Sequence, residues 1–237
     1  MILTAHQPGY LPWIGLFHKI ALSDTYVIFE DVQFVPKHTD SRNKVKTRTG
    51  PQWLTVPCDR GDHFNTKIKD VRIQDGNWRR KHWRTIELAY AKAPHFEEHR
   101  EFFRDLYNVP WKLLVGLNTV ILDYMLNAFG IRVAIDRASH CGFEGKSADL
   151  VLDMCLKMKA DTYIFGKNGR NYMGEAGVRK FEKAGVRVVF QDYKHPIYTQ
   201  LHGEFMPYMS AVDLLFNMGP DSYGVIMSGN AQTTEEM

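Results

Sequence analysis

The sequence predicts an α/β fold: a mostly parallel open sheet with a helical insertion. Three observations carry that reading. Residues 2–29 read as strand, turn, helix, strand; residues 132–190 read as strand, helix, strand, helix, strand; and long amphipathic helices lie between the two stretches. Alternation of this kind implies parallel neighbours joined by helical crossovers.

The first strand is the apolar run 2–5, and the second is 25–29, rich in β-branched and aromatic residues. Between them Ile14, Phe17, Ile20 and Ala21 recur at helical spacing. Pro8, Gly9 and Pro12 confine the turn ahead of that helix, because proline fixes φ and glycine admits close backbone approach. Residues 53–56 read as a strand ending at Pro57, and 71–73 as a shorter one. Residues 78–90 place Trp78, His82, Ile86 and Ala89 on one helical face, leaving Arg79, Arg80 and Arg84 for solvent or a ligand. Two more amphipathic helices follow at 96–107 and 111–129, the second stopped by Gly130. The alternation then resumes with a strand at 132–135, a helix at 147–158 capped by Ser147, a strand at 162–165 running into Gly166, a helix at 174–184 and a strand at 186–190. The organisation is therefore an N-terminal part of the α/β domain (1–75), a helical insertion or subdomain (76–130) and a C-terminal part of the α/β domain (131–237). The polar tail from residue 228 is expected to fray.

Composition bounds the function. With 44% hydrophobic and 24% charged residues among 237, the chain is an ordinary globular one, not collagen-like, coiled-coil or disordered. It has no apolar run long enough to span a membrane and no basic-then-apolar leader at its start, so a cytoplasmic location is expected. Cys58, Cys141 and Cys155 are far apart and form no CxxC, which indicates neither a disulfide framework nor a cysteine zinc site. No HExxH, GxSxG or GxxxxGK(S/T) occurs, and no metal site is expected. A net charge of +3 does not by itself imply nucleic acid, and no DNA partner is expected. The charge is uneven, however. Lys37, Arg42, Lys44, Lys46 and Arg48 face only Asp40, a pattern that suits a solvated face or an anion site equally.

Open α/β sheets bind ligands beyond the carboxyl ends of their strands, which directs attention to residues 6–10, 166–172 and 191–200. His6, Gln7 and Tyr10 sit in a rigid Pro/Gly turn. There the histidine could move a proton or stabilise phosphoryl charge, or simply be packed. Arg42, Asn43 and Lys46 combine a planar fork, a two-way amide and a point charge, suited to a phosphorylated ligand or to an exposed soluble loop. Gly166, Lys167, Asn168, Gly169 and Tyr172 form a glycine-bearing strand-to-helix junction, either an anion cradle or a plain connection. His195 precedes a proline and is thereby extended, with Tyr198 and Gln200 close behind. Ser210, Asp213 and Asn217 fall on or beside one helix, where Asp213 and Asn217 share a face. Buttressing is the simpler role for that pair.

Together the segments HQPGYLPWIGLFHKI, DVQF, SRNKVKTRTGPQWLTVP, HPIYTQ and SAVDLLFNMG resemble the WbqC-like protein family of bacteria over nearly the whole chain. The resemblance implies a cytoplasmic enzyme acting on a sugar or small-molecule precursor, since members accompany genes for O-antigen and lipopolysaccharide or modified amino sugars, and a glycine transferase role is one suggestion for them. It carries over onto His6, Gln7, Tyr10, Arg42, Asn43, Lys46, Gly166, Gly169, Tyr172, His195, Tyr198, Gln200, Ser210, Asp213 and Asn217. The loop FGKNGRNYM departs from the small-residue form of typical members, which sets Lys167 apart. The start of the chain, through Gln33 and Phe34, is also similar to pantothenate synthetase, and FGK resembles that enzyme's loop. This second likeness implies a Rossmann-like, nucleotidyltransferase-type sheet and an acyl-adenylate attacked by an amine. Its paired HxGH histidines are not both present here, no KMSKS-like loop occurs, and the similarity is local.

The expected activity is a transferase or amide ligase placing an aminoacyl group, glycyl for instance, or another acyl group on the amine of an amino sugar or sugar nucleotide. His6, His195 and Lys46 are its candidate catalytic residues. An adenylate route implies ATP with Mg. Alternatives are transfer from aminoacyl-tRNA, with residues 37–48 as the electrostatic footprint, and a non-catalytic sugar-nucleotide-binding protein. A homo-oligomer is compatible with all three.

Overall fold

The computed structural model describes residues 1–59, 65–229 and the backbone of 232–233, while the side chains of Asn171 and Tyr172 fall outside that description. In chain order the elements are β1 (Ile2–His6), α1 (Ile14–Ala21), β2 (Thr25–Ile28), β3 (Arg42–Thr47), β4 (Gly50–Thr55), α2 (Trp78–Tyr90), α3 (Phe96–Asn108), α4 (Leu114–Ala128), β5 (Ala134–Arg137), α5 (Ala138–Cys141), α6 (Ser147–Lys157), β6 (Thr162–Phe165), α7 (Gly169–Lys183), β7 (Arg187–Phe190), α8 (Ala211–Met218), α9 (Ser222–Met227) and β8 (Gln232–Thr233).

The main sheet runs β5-β2-β1-β6-β7-β8. Its first five strands are parallel, and β8 adds an antiparallel edge to β7. Both faces are covered, as the unbroken burial of TYVI in β2 requires. Strand alternation distributes the side chains: Tyr26 and Ile28 join a core with Phe17, Ile20, Tyr90 and Phe216, whereas Val27 joins Leu3, Ala5, Phe165 and Phe181 on the other side. Helix α1 buries nearly every residue, and Phe17 alone is worth about 2–3 kcal/mol of apolar burial. No helix among the described residues is long and apolar enough to cross a membrane.

Several local expectations are corrected. Residues 42–47, readable as an exposed loop, form a strand that pairs antiparallel with β4, with Lys44 opposite Trp53. The alternation of Arg42 and Lys44 with Asn43 and Val45 is that strand's pleat, with Val45 fully buried. Residues 71–73 make only single bridges, Arg72 to Leu113 and Cys58 to Ile73. Helix α4 starts at Leu114 because Leu113 is extended and bridges Arg72, while Trp111 Nε1 donates back to Leu106 O at 2.8 Å. Ser147 does not cap α6. It sits inside the first turn at φ +51°, and the capping position is Lys146. Helix α7 begins at Gly169 and bends at Gly174 (φ 55°, ψ 179°), so part of the expected glycine loop is a helical turn. Within the tail, Gln232 and Thr233 pair with β7 rather than fray.

Candidate functional site

Parallel strands place all their carboxyl ends on one edge. Taken in chain order, the five parallel strands lie third-second-first-fourth-fifth, so the connections turn in opposite directions from β1 and from β6. The edge between those two strands is the switch point where such sheets bind ligands. His6 ends β1 there and Gln7 follows it, and Gly166 to Gly169 follow β6.

The last residue of β1 is His6, whose carbonyl accepts from Phe29 N at 2.9 Å and from Tyr26 Oη at 3.2 Å. Its Nδ1 lies 2.8 Å from Gln7 O, which can only accept. Nδ1 therefore carries the proton, and Nε2 presents a lone pair. Burial, then the charge of Lys19, pushes the imidazole down to about 4; the Gln7 hydrogen bond opposes this, and His38 adds the smallest lowering. His6 is a neutral acceptor at neutral pH. Beneath it, buried Lys19 donates from Nζ to Ala5 O at 3.0 Å, and burial lowers its ammonium to about 7.

At the end of β6, a side chain on Gly166 would meet nothing within 4 Å, whereas a Cβ on Gly169 would stand 2.7 Å from Phe165 Cβ. The turn thus leaves open backbone at Gly166 while packing Gly169 against the strand. Asn168 takes the capping position of α7 without a side-chain cap. Lys167 is largely exposed, its Nζ 4.0 Å from Asp192 Oδ1 beyond β7. The Tyr172 side chain lies outside the described residues.

The later motif residues converge on one another. Lys46 is 2% exposed and donates from Nζ to Gln200 Oε1 at 3.0 Å and Glu204 O at 2.5 Å. Gln200 Nε2 donates to Asp213 Oδ2 at 2.8 Å, and Lys46 N donates to Tyr90 Oη at 3.0 Å. Asn217 receives Leu201 N on Oδ1 at 2.9 Å and donates to Asp213 O at 2.7 Å. Ser210 caps α8, accepting from Val212 N at 3.3 Å, and Asn43 donates to Leu11 O at 2.6 Å. Tyr10 is fully buried, its hydroxyl 2.8 Å from His82 Nδ1 and 2.5 Å from Tyr107 Oη. Arg42 instead stacks on the half-exposed Trp53, with Cζ 4.4 Å from the ring centroid. Lys46, Gln200, Asp213, Asn217 and Tyr90 tie β3, α2, the segment after β7 and α8 into one buried polar network, while Asn43 holds the turn after β1 through Leu11 O.

A second imidazole of the same tautomer is His195. Its Nδ1 donates to Pro196 O at 2.9 Å, and Nε2 is a buried acceptor with no hydrogen bond. Rings of Tyr193, Tyr198, Phe205 and Tyr208 surround it with centroids 5.2 to 6.4 Å away, and Trp13 touches Tyr193 and Tyr208. Burial holds this imidazole below its ordinary value.

Two charged groups at the same edge escaped the motif reading. Glu30, just past β2, is fully buried and accepts on Oε1 from Ser139 Oγ at 2.6 Å and Arg137 Nε at 3.3 Å. Asp40 is fully buried beside His38. A carboxylate immediately after a strand, as in FED, was the signal available for the first.

The chain matches the model of the WbqC-like protein family over residues 7–224. It belongs to that family. The WbqC-like chain is also 32% identical over 218 residues to "Uncharacterized protein Rv1507c" of Mycobacterium tuberculosis (strain ATCC 25618 / H37Rv), covering 91% of its own length and 93% of that protein. No solved structure matches it. Among the described residues of this WbqC-like protein, no group of three or more His, Cys, Asp or Glu side chains could hold a metal ion.

Proposed function

We propose that this WbqC-like protein is a transferase or amide ligase that attaches an aminoacyl group, such as glycyl, to the amine of an amino sugar or related precursor. The observation that carries the reading is a neutral His6, with Nε2 as its lone-pair acceptor, at the β1 to β6 switch point. An amine attacking an acyl carbon becomes a strongly acidic ammonium as the bond forms. A weak but correctly placed neutral base is enough to take its proton. The open backbone at Gly166 and the exposed ammonium of Lys167 suit a phosphate-bearing donor, which fits activation of the acyl group by ATP with Mg. The aromatic ring set around His195, with Tyr208 half-exposed, offers flat apolar faces for a sugar.

Incubation with ATP, glycine and an amino-sugar nucleotide tests this, with AMP or pyrophosphate release and the mass of the amide as readouts. Silence with every carboxylate and amine tried would sink the adenylate route. One observation favours a second reading. Arg42 and Lys44 both lie against the half-exposed Trp53 indole, a basic stacking surface of the kind that holds an RNA end. Loss of activity on RNase treatment or at raised salt would favour aminoacyl-tRNA as donor.

A further inference from the structure

We propose that His38 and Asp40 form a dyad beside the His6 turn that presents an imidazolium to a phosphate group of the ligand. The Asp40 side chain is fully buried, and neither carboxylate oxygen makes a hydrogen bond. A carboxylate so placed costs several kcal/mol unless a cation stands close. The nearest is His38, whose Nδ1 lies 3.6 Å from Asp40 Oδ1 and 3.2 Å from Thr39 Oγ1. The histidine side chain itself is 52% exposed. The dyad is thus a buried acidic side chain beside a surface imidazole whose protonated form it favours, with Nε2 on the side left for a ligand.

Its position is set by the turn that follows β1. Tyr10 N donates to Thr39 O at 3.0 Å. The amide of Asn118 bridges Pro8 O and Asp40 O, each at 2.8 Å. At the head of this segment Lys37 is held at φ +61°, a backbone conformation a lysine rarely adopts. The titratable and charged groups coupled to the dyad are His6 from the end of β1, Arg42 from β3 and Cys58 past β4. Asp40 raises the His38 imidazole, burial opposes that rise and Arg42 lowers it. Burial, with Asp40 second, pushes the Cys58 thiol up to about 12, so it stays protonated. His38 in turn lowers His6. Burial at His6 and Asp40 at His38 shift the two imidazoles in opposite directions, one towards accepting a proton and one towards donating to an anion. Phosphate fits better than a single carboxylate: Lys37, His38 and Arg42 offer three cations at or near the surface, and the one acid between residues 37 and 48 is buried.

This inference deepens the transferase reading, but its test needs no turnover. Side-chain imidazole NMR on the full chain, titrated with inorganic pyrophosphate at about pH 6 and about pH 8, reads it directly. Pyrophosphate should shift the His38 resonances and bind roughly tenfold more weakly at the higher pH. His38→Gln should bind at about pH 6 no better than the parent at about pH 8, and Asp40→Asn should lower the His38 titration midpoint. Unmoved His38 resonances, or equal affinity of parent and His38→Gln at the lower pH, would overturn it. Because His38 is exposed, its variant tests the idea even if Asp40→Asn does not fold. Titrations with ATP and with glucosamine 1-phosphate separate a nucleotide from a sugar source, and either one acting at His38 supports the dyad. Unchanged transfer by His38→Gln would sink the dyad alone, while pyrophosphate bound at His38 without any turnover would sink only the transferase reading.

Discussion

The hydroxyl of Tyr198 donates to Oδ2 of Asp213 at 2.8 Å, inside the protein. The same carboxylate takes Tyr90 Oη on Oδ1 at 2.9 Å and Gln200 Nε2 on Oδ2 at 2.8 Å. Burial raises this carboxyl, and the three donors oppose the rise. One side chain on α8 therefore joins α2 to the segment after β7.

Asp213→Ala is expected to destabilise the fold by about 3–5 kcal/mol, because three buried donors lose their acceptor together. Asp213→Asn should cost less, at roughly 2 kcal/mol, since one oxygen acceptor survives. Urea unfolding measures both. A loss under about 1 kcal/mol for the alanine variant would mean that water replaces the carboxylate.

Stability should climb with pH above neutrality. The folded chain binds the Lys19 proton less tightly than the unfolded chain, with a value of about 7 against the usual lysine range. That contribution is complete above the unfolded lysine value and is lost as pH falls through the folded one. The urea midpoint should therefore rise from about pH 7 to about pH 9, and Lys19→Met should flatten that rise. A second loss is expected on acidification, because burial holds both His6 and His82 at about 4. Their share is complete above the unfolded histidine value and disappears as pH falls through about 4, while His38, raised by Asp40, works in the opposite sense.

Replacing His6 by alanine should lower the transfer rate by about 10²–10⁴ with little change in melting temperature. Because the group is neutral above about 4, the acid limb of the parent's rate profile that it controls should lie near that value. A parent profile with its acid limb near the ordinary histidine value would assign the base to a different group.

The two glycines of the β6 junction should behave oppositely. Gly169→Ala drives a Cβ to 2.7 Å from Phe165 and should cost about 1–3 kcal/mol by overpacking. Gly166→Ala meets nothing within 4 Å and should leave stability within about 0.5 kcal/mol, yet weaken a ligand that needs the bare backbone. Thermal melts paired with nucleotide titration check the contrast.

Much of the frame was legible because apolar period and turn residues act locally. The spacing of Trp78, His82, Ile86 and Ala89 marks α2 over 78–90, where it occurs, and the β-branched run at 162–165 is β6. Arg42 to Thr47 is harder to read, because a strand of a small hairpin takes its burial from partners far along the chain: the Lys46 ammonium meets Gln200 and Glu204. Ser147 is a good capping residue by type, but its left-handed backbone removes it from the cap. Within the candidate site, the turn at His6 and the junction at Gly166 were visible as motifs beside strand ends. His38 with Asp40, and Glu30 with Arg137, were not, since each depends on how far a carboxylate sinks below the surface, which residue type alone does not encode.

Near the other end of the chain, Ser210 N donates to Lys44 O at 2.8 Å and Ala211 N donates to Pro12 O at 2.7 Å. The first turn is thus closed by a helix synthesised about 200 residues after it. On a ribosome, β1 and α1 can emerge and collapse early, but the His6 turn stays unfinished until α8 has left the exit tunnel. The His6 turn is therefore completed late, so a chain cut short before residue 210 should be a substrate for chaperones and proteases.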